Sequence, residues 1–365
     1  MINQYLKKGK KVLFFVDGFV GGAGNVVQIL AKEFAKKGCN VRICCLGGTT
    51  QGRHDLTGVS VVGYKKKGSK LSKYLCYIYG AKREIKVFNP DCVISFLFGI
   101  SAFVGISVRK KRKYLFIPSE RSNPSSLKPH GIIQKLVRSA YKKADGIVVL
   151  FDSFKRLEDG LFESKCYTIP NPVQINDISD KSEVSSPIKF ITIANESKPK
   201  GLDLLIKSFE IAVKSHPEIQ LFIYGKIFTD DLPSYIRDKK LENNIHLKGY
   251  TQEVNVVLSE ADVYIMPSRY EGFPNSLCEA MAAGKACIAF ECHKGISELI
   301  KNNENGIVVP AENTVEMATR IVELTESPEK IKALGRKAKD ISTKFSVDLV
   351  VNMWDELLFG LNRDK

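Results

Sequence analysis

The chain has 365 residues, 44% apolar and 26% charged, a globular composition that by length holds two domains of ordinary size and excludes a disordered protein. Its nine cysteines form no CxxC pair and no Cys/His ligand spacing, so no metal module is expected and a reducing cytoplasm fits them best. The net charge of +15 is uneven: residues 1–180 carry 31 Lys and Arg against 13 Asp and Glu, and residues 181–365 carry 24 against 27.

From the N-terminus, Met1 leads through polar residues and four lysines into the short apolar run Val12–Val16, which is not the pattern of a secretory leader. The mature chain is therefore expected to start at Met1. Short β-branched runs then alternate with amphipathic stretches. Strands are expected at 11–16, 40–46, 59–62, 91–97, 114–117, 146–149 and 166–169, with helices at 22–37, 71–87 and 132–143 between them. The long uncharged run Cys92–Val108, interrupted by serines and glycines, reads as a buried strand followed by a core-facing helix rather than a membrane span. The basic clusters Lys65–Lys67 and Arg109–Lys113 suit an anionic lipid surface or a polyanionic substrate, or else form a solvated lysine-rich face. No arginine/aromatic motif or helix-turn-helix pattern supports nucleic acid.

After Pro170-Asn171-Pro172 and a polar segment at 176–187 the alternation restarts, with strands at 189–194, 220–224, 245–247, 263–266 and 286–289. Helices are expected at 202–214, 254–259, 276–283, 315–326 and 329–344, and a last amphipathic helix at 347–361. The domains are thus residues 1–172 and 173–345, with 346–365 packing back on the first. Two doubly wound, Rossmann-like parallel sheets in series imply a cleft between their strand carboxyl edges, where ligands of such sheets bind.

The most informative stretch runs from Met266 to Gly284. A buried strand ends, a Gly/Pro loop follows, and a helix opens near Asn275 with free N–H groups suited to an anion. Glu271 falls at the loop mouth and Glu279 about one turn into the helix. One carboxylate can meet sugar hydroxyls while the other accepts two hydrogen bonds from a ribose diol; the same spacing also fits a capping acid and a solvent-facing glutamate. Glu271-Gly272-Phe273-Pro274-Asn275-Ser276 leading to Glu279, with Ala280-Met281-Ala282-Ala283-Gly284 behind it, resembles the donor-site signature of family-4 retaining glycosyltransferases of the GT-B fold. The resemblance spans nearly the whole chain. It implies that Glu271 lies against the donor sugar, that Glu279 holds the nucleotide ribose, and that Arg269 and the 272–276 loop line the donor site.

The resemblance extends to Lys200-Gly201-Leu202-Asp203, where Lys200 would offset charge on the diphosphate leaving group. Two departures stand out. Relatives end the preceding strand in Gly-Arg, where this chain has Ala194-Asn195, so Asn195 offers hydrogen bonds without charge; either Arg269 or another basic residue compensates, or turnover is slow. The N-terminal loop reads Gly21-Gly22-Ala23-Gly24-Asn25 where relatives read G-G-A-E-R, although backbone amides at Gly22 still suit a phosphate. The stretch Pro118–Pro124, too polar and turn-rich for a core, is similar to an acceptor-side segment of a bacterial polysaccharide branch. The likeness implies that Glu120, Arg121 and Asn123 face the acceptor; Glu120 pairing with Arg121 in a structural turn is the other reading. His130 behind it reads as surface.

The expected activity is retaining, metal-independent transfer of a hexose or N-acetylhexosamine from a nucleoside-diphosphate sugar, a UDP-sugar, with no cofactor. Catalysis is expected from Glu271, Lys200 and Glu120, and attack on the donor's own face is what the family implies. The acceptor would be a glycan, with an undecaprenyl-diphosphate-linked oligosaccharide at the inner membrane face suiting the basic first half. The alternative is a non-catalytic nucleotide-binding partner of the same fold, motivated by Asn195. A nicotinamide enzyme lacks its G-x-G-x-x-G after the first strand.

Overall fold

The structure is a computed structural model that describes residues 5–52, 54–64, 69–124, 131–156, 160–174 and 183–363. The Lys65–Lys67 cluster and His130 lie outside the described residues. The chain divides into two compact units, Met1–Pro172 with Val347–Lys365, and Val173–Ser346.

The first unit is built on seven parallel strands: β1 (Lys11–Gly18), β2 (Asn40–Thr49), β3 (Val59–Gly63), β4 (Cys92–Phe96), β5 (Leu115–Ser119), β6 (Ile147–Val149) and β7 (Cys166–Thr168), in the order β3-β2-β1-β4-β5-β6-β7. Its helices are α1 (Gly22–Lys36), α2 (Lys70–Phe88), α3 (Phe98–Ser107) and α4 (Ile132–Lys143). Strand residues such as Phe14, Ile43 and Ile94 are fully enclosed, because crossover helices cover a parallel sheet on both faces. The run Cys92–Val108 forms β4 and the core helix α3, and no helix among the described residues is long and apolar enough to cross a membrane.

The second unit repeats the plan with β8 (Lys189–Ile193), β9 (Gln220–Tyr224), β10 (Ile245–Gly249), β11 (Val263–Met266), β12 (Ala286–Phe290) and β13 (Ile307–Val309), ordered β10-β9-β8-β11-β12-β13. Around them lie α5 (Leu202–Val213), α6 (Asp231–Asp238), α7 (Val254–Glu260), α8 (Asn275–Ala282), α9 (Gly295–Leu299), α10 (Thr314–Thr325), α11 (Pro328–Ala338) and α12 (Asp340–Lys344). The last helix, α13 (Val347–Arg363), belongs to the first unit: Trp354 is fully buried, and Asp355 Oδ1 accepts the backbone N–H of Tyr5 at 2.7 Å and of Leu6 at 2.6 Å.

Three features differ from the sequence expectation. β13, α6 and α9 had no strong pattern, being three, eight and five residues long. The helix expected at 329–344 is broken at Lys339, whose carbonyl takes both the amide of Ser342 at 3.0 Å and its hydroxyl at 2.7 Å. The polar stretch after Ile117 is core: β5 continues through Pro118 to Ser119, and Glu120, Arg121 and Asn123 are 4%, 7% and 6% exposed.

Candidate active site

In the second sheet, connections leave β8 and β11 in opposite directions, which makes their shared carboxyl edge the switch point where open α/β sheets bind ligands. The loops leaving these two strands hold Asn195 and Lys200 on one side, and Arg269 and Glu271 on the other.

These loops touch. Gly201 has φ of 65°, and a Cβ there would stand 2.0 Å from the carbonyl oxygen of Pro267, so only glycine lets the two backbones meet. The amide of Arg269 donates to Pro199 O at 2.7 Å. The contact brings Lys200 Nζ to 2.7 Å from Glu271 Oε1, the same oxygen that accepts the Ser268 hydroxyl at 2.7 Å. Glu271 is 11% exposed and Lys200 36%, so the carboxylate is enclosed while the ammonium reaches solvent.

Arg269, expected to line the donor site, is held by two acids. Its guanidinium holds both oxygens of Asp203 at 2.8 Å, and it also bonds Glu312 at 2.8 Å and the carbonyl of Lys198 at 3.0 Å. Donating to the Asp203 carboxylate raises its pKa further, and the side chain is only 12% exposed. With most of its donors on these acids, Arg269 clamps the two loops together.

Beyond Glu271, Gly272 is half-buried, and Pro274 and Phe273 are buried, with Phe273 edge-on to Phe345 at 6.0 Å between ring centroids. Phe273 therefore anchors the loop from below. Asn275 opens α8, whose N-cap Pro274 supplies no side-chain acceptor, leaving the first amides of the helix without a side-chain cap. Ser276 Oγ accepts the Tyr264 hydroxyl at 2.8 Å, and Glu279 lies half-buried one turn further along. Cys292 sits beside this group, its sulfur within the influence of Glu271 and Lys200 and hydrogen-bonded by the Glu271 backbone. Burial pushes it up to about 12, so it remains a thiol.

Asn195 spends its side-chain carbonyl on the backbone N–H of Lys226 at 2.9 Å. Lys226 follows β9, is exposed, and carries its ammonium 5.4 Å from the ring centroid of Tyr250, which follows β10. The sequence reading passed over Lys226, because only strand order places it beside Asn195.

The remaining expected residues belong to the first unit. Gly22 opens α1 behind an exposed Gly21, at the carboxyl end of β1, with no side-chain cap. Gly24 packs tightly against the end of β1: a Cβ there would lie 2.5 Å from the carbonyl oxygen of Gly18. Glu120, Arg121 and Asn123, expected on the acceptor side, are all buried just beyond the carboxyl end of β5. Glu120 accepts from Ser101 at 3.3 Å and from Tyr141, and burial raises its pKa to about 7 against those hydrogen bonds. Arg121 donates to Ser119, to the carbonyl of Ile169 and to Asn171, and stacks on Phe96 and Trp354. It fastens α13 and the 169–171 segment to the sheet, and no close ion pair joins it to Glu120.

Residues 20–177 match the family model described as glycosyltransferase family 4, and residues 174–341 the model described as glycosyl transferases group 1. The two matches run through both sheets and the whole carboxyl edge just described. The chain belongs to the family-4-like glycosyltransferases of the GT-B fold. Among its relatives is the poly(ribitol-phosphate) alpha-N-acetylglucosaminyltransferase of Staphylococcus aureus, 29% identical over 225 residues, 60% of this chain and 45% of that protein. The match thus spans under half of that relative's own length. A glycosyltransferase of Haemophilus influenzae of uncharacterised role is 24% identical over 96% of this chain and 100% of its own. The solved structure of S. aureus TarM with UDP and alpha-GlcNAc-glycerol resembles this glycosyltransferase with a TM-score of 0.66 and 25% identity, over 79% of this chain and 59% of that one.

Proposed function

We propose that this glycosyltransferase moves a hexose or N-acetylhexosamine from a UDP-sugar to an acceptor hydroxyl in the assembly of a cell-surface polysaccharide or an undecaprenyl-diphosphate-linked oligosaccharide, in the cytoplasm, with retention and without a metal ion. The observation that carries the reading is the Lys200–Glu271 pair at the switch point of the second sheet, next to the uncapped start of α8. A diphosphate brought to this edge competes with Glu271 for the ammonium. Lys200 then faces the leaving group, and the released carboxylate accepts hydrogen bonds from sugar hydroxyls. Glu279 accepts from the ribose diol. Lys226 replaces the arginine that relatives carry at the position of Asn195, delivering positive charge from the adjacent strand end. The acceptor is assigned to the first unit, beside Glu120, Arg121 and Asn123 at the carboxyl end of β5, and Gly22 to the donor phosphates.

The UDP in the similar S. aureus structure and the polymer in its relative's name support the choice of donor and acceptor class. Incubation with UDP-sugars in EDTA tests the metal-free reading: turnover should persist, and activity that vanishes and returns with Mg²⁺ contradicts it. The neutral Asn195 keeps one other reading open, a nucleotide-binding partner without turnover. Sugar-nucleotide hydrolysis or transfer that is lost in Glu271→Ala excludes it.

A further inference from the structure

The first unit carries a surface that donor chemistry does not use. On α2, Leu71, Leu75 and Tyr79 are 67%, 58% and 62% exposed and recur every four residues, so they stand in one line on the solvent side. Lys82 and Lys86, both exposed, continue that line toward the end of the helix. The other side of α2 packs inward through Tyr77, Ala81 and Phe88, with Tyr74 stacked on Phe103 of α3 at 4.6 Å. Apolar residues scattered singly over a surface are ordinary, but a line of them running into lysines is the pattern of a helix lying in a membrane interface.

A cationic pocket of about 520 Å³, lined by Lys110, Arg112, Ser139, Lys142 and Lys143, lies between the segment after α3 and the last turn of α4. Ser107 at the end of α3 donates to the carbonyl of Ile78 at 3.1 Å, tying the start of the basic segment Arg109–Lys113 to the middle of α2. Arg112 and Lys143 build the pocket. Arg112 bonds Asp145 at 2.6 Å and the carbonyl of Lys143 at 2.7 Å, and Lys143 Nζ bonds the carbonyls of Gly105 at 2.7 Å and Val108 at 3.0 Å. Lys110 and Lys142 are exposed at its mouth. Asp145 offsets one of the four cations, which leaves the pocket positive.

The pocket's position decides what it serves. Arg112 precedes β5 and Glu120 follows it, so the cations stand at the amino end of the strands, opposite the carboxyl edge where such sheets hold reacting ligands. We propose that the Leu71–Leu75–Tyr79 line and the Lys110/Lys142 pocket form one docking surface for an anionic membrane, with lipid phosphates at the pocket and the apolar line in the interface. The excess of 31 cationic over 13 acidic residues in the first 180 supplies the complementary charge. The inference is independent of the donor assignment.

Flotation of the full chain with vesicles tests it. The protein should rise with equimolar phosphatidylglycerol and phosphatidylcholine, remain behind with phosphatidylcholine alone, and detach in high salt. Lys110→Glu and Lys142→Glu should each lower partitioning about fivefold or more, and Leu75→Ser with Tyr79→Ser about tenfold. Thermal unfolding of each variant should match the parent, which separates lost docking from lost fold. Equal binding to neutral vesicles, no flotation at all, variants that float like the parent, or stabilisation by inorganic phosphate without flotation would overturn the proposal.

Discussion

Lys200 Nζ and Glu271 Oε1 are 2.7 Å apart although their residues are 71 positions apart in sequence, and the contact exists because Gly201 permits the loops after β8 and β11 to meet. In the ligand-free chain the pair is internally neutral. On the proposed function a bound diphosphate draws the ammonium away from that carboxylate, which couples donor binding to charge stabilisation.

Lys200→Ala should therefore reduce turnover by about 10²–10³-fold, the scale of one lost charge-stabilising donor. The Michaelis constant for the donor should change less than kcat. Steady-state kinetics with the preferred UDP-sugar measures the split.

Lys226→Ala should weaken donor binding by about tenfold, the scale of one charge-assisted contact. Asn195→Arg should restore it in the Lys226→Ala background and add little to the parent. A double-mutant cycle read by titration calorimetry distinguishes this compensation from two independent effects.

Glu271 and Lys200 stand out in sequence because each adjoins a glycine, Gly272 and Gly201, at a loop that follows a strand, and Glu279 stands out only through its place in the block from Glu271 to Gly284. The sheets were legible through the alternation of apolar runs, and the chain's own strand order confirms the doubly wound reading. Lys226 was not, since its neighbour Asn195 is 31 positions away and only pairing of β8 with β9 joins them. Arg269 misled because a cation near a donor motif looks available until Asp203 and Glu312 are seen to hold it. Glu120, Arg121 and Asn123 misled for the opposite reason. Polar residues read as surface, yet here side-chain partners and backbone carbonyls satisfy them inside the core.

Arg269→Ala should lower stability by about 1–3 kcal/mol, more than an exposed ion pair would, because it opens the loop contact and leaves Asp203 without its fork. Gly201→Ala should cost about 2–4 kcal/mol through the positive φ and the clash with Pro267. Chemical denaturation of each variant checks both. Donor affinity should fall alongside, since the same contact places Lys200.

Glu120 gives the first unit a pH dependence. With its pKa raised by burial to about 7, the folded chain keeps a proton that the unfolded chain releases above its ordinary 4.5, so this contribution to stability is full below that value and is lost as pH rises toward 7. Glu120→Gln should remove the slope and add about 1–3 kcal/mol near pH 8. Trp354 is the single tryptophan and lies in the first unit, so its fluorescence reports this transition. His293 in the second unit has the opposite sign. Burial pushes it down to about 4, and its contribution is lost as pH falls from 6.5 toward that value.

The central claim is that the carboxyl edge of the second sheet binds a UDP-sugar through Lys200, Glu271 and Glu279. Titration calorimetry of UDP against the parent and Glu279→Ala tests it most directly. The account predicts that the parent binds UDP in preference to NADH and that Glu279→Ala loses at least about tenfold in affinity while unfolding like the parent, as expected when a carboxylate that accepts two hydrogen bonds is removed. UDP binding that is equally tight in Glu279→Ala would contradict it.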